Sequence, residues 1–283
     1  MKLENKTALI TGATGLIGKT IAKFFAREGY DLILGGLSKK KIETLKKEFS
    51  FYKHIRIKVI QVDVSNKKSL QSLFKKVTRD FKTIDVVVTA AGAYGAIGTI
   101  EQTEPEEWLK AIEVNLLGTF MTIKYALPLL RKSPRAKIIT FAGGGEGPLE
   151  RHSSYVASKG GVLRLVETLS VELSPIEINA ISPGLVTSGL IQEIIDAGPL
   201  RVGEKRYQEA IEQQKGERES VSPEKAASLA VFLATSESDG ISGKNLSAVW
   251  DKWSEFPKHK REIMNSDVYN MRRIKPKDRG YDW

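Results

Sequence analysis

Short runs of β-branched and apolar residues alternate along this chain with longer stretches whose apolar positions recur every three to four residues. The short runs predict strands at Thr7–Ile10, Asp31–Leu34, Ile57–Val62, Ile84–Val88, Lys137–Phe141, Ile176–Ile181 and Leu246–Val249. The longer ones predict helices at Leu16–Glu28, Lys39–Phe49, Lys67–Phe81, Asn115–Leu130 (stopped near Pro128), Ser154–Leu173 and Pro223–Ala234. The last opens on Ser222-Pro223-Glu224, a favourable helix start. Strands alternating with helices imply an α/β fold: a Rossmann-like, doubly wound, three-layer sheet of about seven strands, mainly parallel and covered on both faces. One domain spans residues 1–249. Two segments break the alternation. Residues 185–221 are helical but interrupted at Gly198-Pro199 and Gly203, and read as a substrate lid or as peripheral packing. Residues 250–283 form a polar, basic tail whose Trp250, Trp253 and Phe256 are expected to pack it onto the body, or onto a neighbouring subunit.

Composition narrows this little. The chain has 283 residues, 41% of them hydrophobic, enough for one large core. Without cysteine there are no disulfides or thiolate metal sites, and His54, His152 and His259 are too dispersed for a metal. The N-terminus runs into a strand with no secretion signal, and no apolar run reaches the roughly 20 residues of a membrane span, so a soluble cytoplasmic protein is expected. The net charge of +10 reads as lysines scattered over helix faces rather than a nucleic-acid surface; it would also favour a phosphate-bearing cofactor.

Candidate chemistry begins where the first strand ends, in Thr11-Gly12-Ala13-Thr14-Gly15-Leu16-Ile17-Gly18. Glycines between a strand and a helix allow the backbone to approach a pyrophosphate, whose charge the helix N-terminus stabilises. Dinucleotide folds often end the second strand with an acid for the ribose 2′-hydroxyl. Here the stretch reads Gly36-Leu37-Ser38-Lys39-Lys40, where a serine and lysines could meet a 2′-phosphate, so NADP(H) is favoured over NAD(H). Further on, Tyr155 and Lys159 lie four apart, on one helix face. An ammonium near a phenol favours phenolate, which suits proton exchange with an alcohol or carbonyl. Glu146 and Glu150 precede this pair in a loop read as solvated.

Taken together, Thr11 to Gly18, Asp63-Val64, Asn115 in Val114-Asn115-Leu116-Leu117-Gly118, Tyr155-Val156-Ala157-Ser158-Lys159 and Pro183-Gly184 resemble the short-chain dehydrogenase/reductases over roughly residues 5–249. The resemblance implies hydride transfer between a nicotinamide and a small-molecule carbonyl or alcohol, with Tyr155 as acid-base. It implies that Lys159 bonds the nicotinamide ribose and lowers the Tyr155 pKa, and that Asn115 holds a relay water. Asp63 and Val64 would take the adenine end. Ala91, Gly92 and Val114 would border the cofactor, and Pro183, Gly184, Val186 and Ser188 would lie along the nicotinamide carboxamide. Ala142, Gly143 and His152 would face substrate. A homodimer or homotetramer through the helices bearing Asn115 and Tyr155 is implied too.

Four departures qualify the match. Ala142 stands where the family usually has the serine that bonds the reacting oxygen; Thr140, Ser153 or Ser154 are the candidate substitutes. Thr89-Ala90-Ala91-Gly92 replaces the usual paired asparagines. Leu16 occupies a usual glycine, giving a spacing like that of longer relatives acting on nucleotide sugars. No carboxylate ends the second strand. The missing serine leaves open a catalytically impaired cofactor-binding scaffold or sensor.

Overall fold

The structure, a computed structural model, describes residues 6–143 and 147–283. Seven strands form one parallel sheet: β1 (Thr7–Thr11), β2 (Asp31–Gly36), β3 (Ile57–Gln61), β4 (Val86–Thr89), β5 (Lys137–Phe141), β6 (Glu177–Ser182) and β7 (Asn245–Ser247), in the order β3-β2-β1-β4-β5-β6-β7. The order reverses between β1 and β4, so the crevice at their carboxyl ends is a topological switch point, where open α/β sheets bind ligands.

Successive residues of a strand point to opposite faces, and the core divides accordingly. Ala8, Ile10, Leu32, Leu34, Val86 and Val88 pack with α1 (Leu16–Arg27), α2 (Lys39–Phe49) and a late helix, α9 (Pro223–Ala234). Leu9, Ile33, Val87, Ile138 and Ile178 face the other way, onto α3 (Lys67–Asp80), α5 (Gly118–Leu130) and α6 (Ser153–Glu172). With both faces covered, β1, β2, β4 and β5 are buried along their whole length, hence their unbroken apolar runs.

One helix differs from expectation at its start: it begins early, at α4 (Pro105–Ala111), and passes through a π-helical turn at Ile112–Leu117 into α5. Its end at Leu130 is as expected, with Pro128 in the last turn, where the proline's lost N–H disturbs little. Residues 185–221 form α7 (Gly189–Val202) and α8 (Glu204–Lys215), with Gly198 and Gly203 at φ of 74° and 90° where the chain breaks. The late helix, α9 (Pro223–Ala234), starts at Ser222, which caps it. Beyond β7 the chain turns through α10 (Lys260–Met264). Phe256 and Ile263 enter the core beside Trp253, whereas Trp250 is exposed and contributes no such packing. Among the described residues no helix is long and apolar enough to cross a membrane.

Candidate active site

A continuous cleft of about 1570 Å³ runs along the carboxyl edge of the sheet. One wall is the loop between β1 and α1. Gly12 adopts φ 69°, and a Cβ there would lie 2.4 Å from the backbone N of Ala91 and 2.5 Å from Ala90. A Cβ on Gly18 would lie 2.4 Å from Gly12 O. The loop therefore nests against the β4 turn as only glycines permit, and no side chain caps the first turn of α1, leaving its N–H groups for an anion. Gly12, Thr14, Gly15, Leu16, Ile17 and Gly18 all line the cleft, as do Ala91, Gly92 and Val114. Such a cradle fits a dinucleotide pyrophosphate.

The far end of that wall explains why no carboxylate stands there. A Cβ on Gly36 would lie 2.5 Å from Thr14 Cγ2, so the threonine occupies the space. Leu37 and Ser38 line the cleft, and Ser38 Oγ caps α2 by accepting from Lys41 N at 3.4 Å. Lys39 does not line it; Lys41 does, because the helix turns the later lysine inward. Asp63 and Val64 border the same end, the Asp63 carboxylate accepting from Ser65 N and Oγ at 2.9 and 2.6 Å.

At the opposite end the Tyr155 phenol rests on the chain after β5. A Cβ on Gly143 would lie 2.3 Å from Tyr155 Oη, so a glycine there keeps the phenol reachable from the cleft. One turn on, Lys159 Nζ donates to Phe141 O at 2.9 Å and lies 5.8 Å from the Tyr155 ring centre. Burial drives the two groups apart: it lowers Lys159 to about 8 and raises the Tyr155 phenol well above its ordinary value, with Tyr94 and Glu193 pushing the same way. The lowered phenol implied by the family resemblance is thus not found in the chain by itself, because the ammonium is desolvated too. Asn115 also differs from expectation. Its Nδ2 donates to Ala93 O (2.9 Å) and Ser158 Oγ (2.8 Å), and its Oδ1 accepts from Ala93 N (3.0 Å). The side-chain amide ties the β4 turn to α6, and Asn115 is not among the residues lining the cleft.

None of the three hydroxyls expected to replace the missing serine reaches the site. Thr140 Oγ1 donates to Asn179 O (3.4 Å), Ser154 Oγ donates to Tyr94 O and Ala96 O (3.0 and 3.2 Å), and Ser153 Oγ accepts from Trp108 Nε1 (3.1 Å). All three lie outside the cleft lining, whereas Ala142 and Gly143 lie in it. Glu146 lies outside the described residues; Glu150 contributes its backbone carbonyl to His152.

The segment after β6 completes the enclosure. Pro183, Gly184, Val186 and Ser188 line the cleft, Ser188 also capping α7. Residues no motif announced join them: Tyr94, whose ring centre is 4.7 Å from that of Tyr155, and Glu193, Arg206, Glu209 and Arg218 from the lid. Only the position of Tyr94, two residues past Gly92, hinted at its place. Among the described residues no group of three or more His, Asp or Glu could hold a metal.

The comparisons with known proteins agree with this architecture. A family model described as enoyl-(acyl carrier protein) reductase matches residues 12–248. A D-beta-hydroxybutyrate dehydrogenase of Rhizobium meliloti is 30% identical over 249 residues, covering 86% of this chain and 96% of the relative. A 3-oxoacyl-[acyl-carrier-protein] reductase of Thermotoga maritima is 29% identical over 251 residues, covering 86% and 96%. Among solved structures, an actinorhodin polyketide ketoreductase with NADPH superposes with a TM-score of 0.77 at 25% identity, covering 86% of this chain and 95% of that one. With a match running from the glycine loop to the last strand, the chain belongs to the short-chain dehydrogenase/reductase family of oxidoreductases.

Proposed function

We propose that the chain is an NAD(P)-dependent reductase or dehydrogenase acting on a carbonyl or alcohol of a small molecule. The observation that carries this reading is the placement of Tyr155 Oη against Gly143, in the same cleft as the glycine cradle. A nicotinamide, when bound, supplies or accepts the hydride and, oxidised, carries a positive charge that favours phenolate. Gly12, Thr14, Gly15, Leu16, Ile17 and Gly18 would hold its pyrophosphate, Asp63 and Val64 its adenine end, and Pro183, Gly184, Val186 and Ser188 its nicotinamide end. Tyr155 Oη handles the proton of the reacting oxygen. Its raised pKa makes the phenol a proton donor at neutral pH, which suits carbonyl reduction. Lys159 stands beside it, and Asn115 is a positioning residue that fixes the β4 turn against α6. The absent carboxylate at the end of β2, with Ser38 Oγ and Lys41 on the cleft, supports NADP(H) over NAD(H). Exposed Leu109, Leu117, Phe120 and Val171 on α4 to α6 support assembly with a second copy through these helices.

Titration of the purified protein with NADPH and NADH, followed by nicotinamide fluorescence, tests the reading. Selective NADPH binding is expected; binding of neither by folded protein would sink it. The second reading, a scaffold or sensor, is favoured by Ala142 alone. Tyr155→Phe separates the two: an enzyme loses turnover while holding nucleotide, a scaffold keeps its output.

A further inference from the structure

One wall of the cleft carries polar side chains that their contacts with the described residues leave with hydrogen-bonding capacity to spare. His152 is almost wholly buried and lines the cleft. Its Nδ1 is 2.7 Å from Glu150 O, which can only accept, so Nδ1 holds the proton and the neutral ring presents Nε2 as an acceptor. Among the described residues that Nε2 has no hydrogen-bond partner, an unfavourable condition for a buried polar group unless a ligand relieves it. Burial also holds the ring below its ordinary pKa, which keeps it neutral. Its position is enforced. Arg151, just before it, adopts φ 64°, a strained value for a residue with a side chain. Arg151 Nη1 donates to Leu200 O and Arg201 O of the lid, and its carbonyl accepts from Gly98 N at 2.9 Å.

Tyr94, whose ring centre lies 5.0 Å from that of His152, links it to Glu193. Its Oε2 accepts from Tyr94 N at 2.9 Å, and among the described residues it forms no ion pair. A carboxylate with so few donors has acceptor capacity to spare. The two arginines on this wall are already matched: Arg206 Nη1 lies 3.5 Å and Arg218 Nη1 3.1 Å from the Glu209 carboxylate. Two arginines and two glutamates cancel, so the wall has no surplus cation to hold a carboxylate or phosphate.

From this we propose that the wall of Tyr94, His152, Glu193 and Arg206 selects a neutral polyhydroxylated substrate, of the polyol and ketose class, whose hydroxyls donate to His152 Nε2 and Glu193 and accept from Arg206. The proposal rests on the oxidoreductase reading above and gives it a substrate class. It also accounts for the loss of the serine hydroxyl at Ala142: several anchored hydroxyls orient the reacting carbon where a single donor would otherwise do so.

Ribitol, cyclohexanol and 3-hydroxybutyrate are each titrated calorimetrically into the protein saturated with NADPH or NADH, where an alcohol meets a reduced cofactor and no turnover can follow. Ribitol is expected to bind at least roughly tenfold more tightly than the other two. His152→Phe, which keeps the ring, and Glu193→Gln, which keeps the shape, should each narrow the ribitol-to-cyclohexanol affinity ratio by about fivefold or more. Equal or tighter binding of 3-hydroxybutyrate or cyclohexanol by the unaltered protein would overturn the substrate class, with no variant needed. A ratio unmoved in both variants would overturn the assignment of the wall. If neither nucleotide binds, the oxidoreductase reading falls and this proposal with it; nucleotide binding without ribitol preference removes the proposal alone.

Discussion

Ala142 is the residue on which the chemistry turns. It is buried at the end of β5, borders the cleft, and precedes the glycine against which Tyr155 Oη rests. A serine there would add one oxygen at the cleft lining with little change in volume. Preorganised donors to a developing oxyanion are worth about 2.7–4 kcal/mol where they have been removed from other enzymes. Ala142→Ser is accordingly expected to raise kcat by roughly tenfold or more on a simple ketone, a fraction of that limit because the neighbouring groups did not evolve around the new hydroxyl. Initial rates at saturating ketone and cofactor measure it. An unchanged kcat would mean that the reacting oxygen already has a donor from the lid wall. Thr140, Ser153 and Ser154 are not that donor, since none of them lines the cleft.

At the scale of elements, the C-terminal tail is fastened by one buried lysine. Lys244, next to β7, donates from Nζ to Ser266 O (2.9 Å), Val268 O (3.0 Å) and Asn270 Oδ1 (2.6 Å). Asn245 N donates to Tyr269 O, and Met271 N to Glu167 Oε1 on α6, so the tail is sewn to two elements. Lys244→Met leaves three acceptors without their charged donor. The expected loss is about 2–4 kcal/mol, felt first at residues 266–271, whose acceptors lose their donor while Phe256 and Ile263 keep their place in the core. Hydrogen exchange should show residues 266–271 losing protection while β1 and β4 keep theirs; equal loss everywhere would make Lys244 a part of the global core instead. This clasp was invisible in the sequence, where residues 250–283 show only polar character and scattered aromatics. The strands were legible because parallel, doubly covered strands must be apolar throughout. So were Gly12, Tyr155 and Lys159, whose spacing is fixed by local geometry. What was hidden depends on distant contacts. Lys41 rather than Lys39 faces the cleft through the rotation of α2. Asn115 spends its amide on Ala93 and Ser158. Glu193 and Arg206 reach the site only because α7 and α8 bring them to the cleft. The start of α4 could have been read from Pro105 with Glu106 and Glu107 in its first turn, a helix-opening pattern that the weaker apolar periodicity after it obscures.

Over the whole molecule, the same burial that shapes the site should appear in the dependence of stability on pH. Folding lowers Lys159 from its ordinary value near 10.5 to about 8. Between those values the unfolded chain binds this proton and the folded chain does not, so stability rises with pH across that window. Tyr30 and Tyr155 act oppositely: burial raises both phenols, so above pH about 10 the unfolded chain loses protons that the folded chain keeps, and stability falls. The cofactor-free protein should therefore become more resistant to urea from pH 8 towards 10 and less so beyond. The lysine accounts for at most about 3 kcal/mol of the rise, since one pKa unit corresponds to about 1.4 kcal/mol. Lys159→Met removes the titrating group while keeping much of its bulk. Urea midpoints at pH 7, 8, 9 and 10 for the two proteins, taken without nucleotide, isolate its share. A shallower rise in the variant is the expected result. Parallel slopes would show that Lys159 stays charged throughout, with an ammonium near Tyr155 across the whole range, and the phenol would then be more acidic than its burial alone dictates.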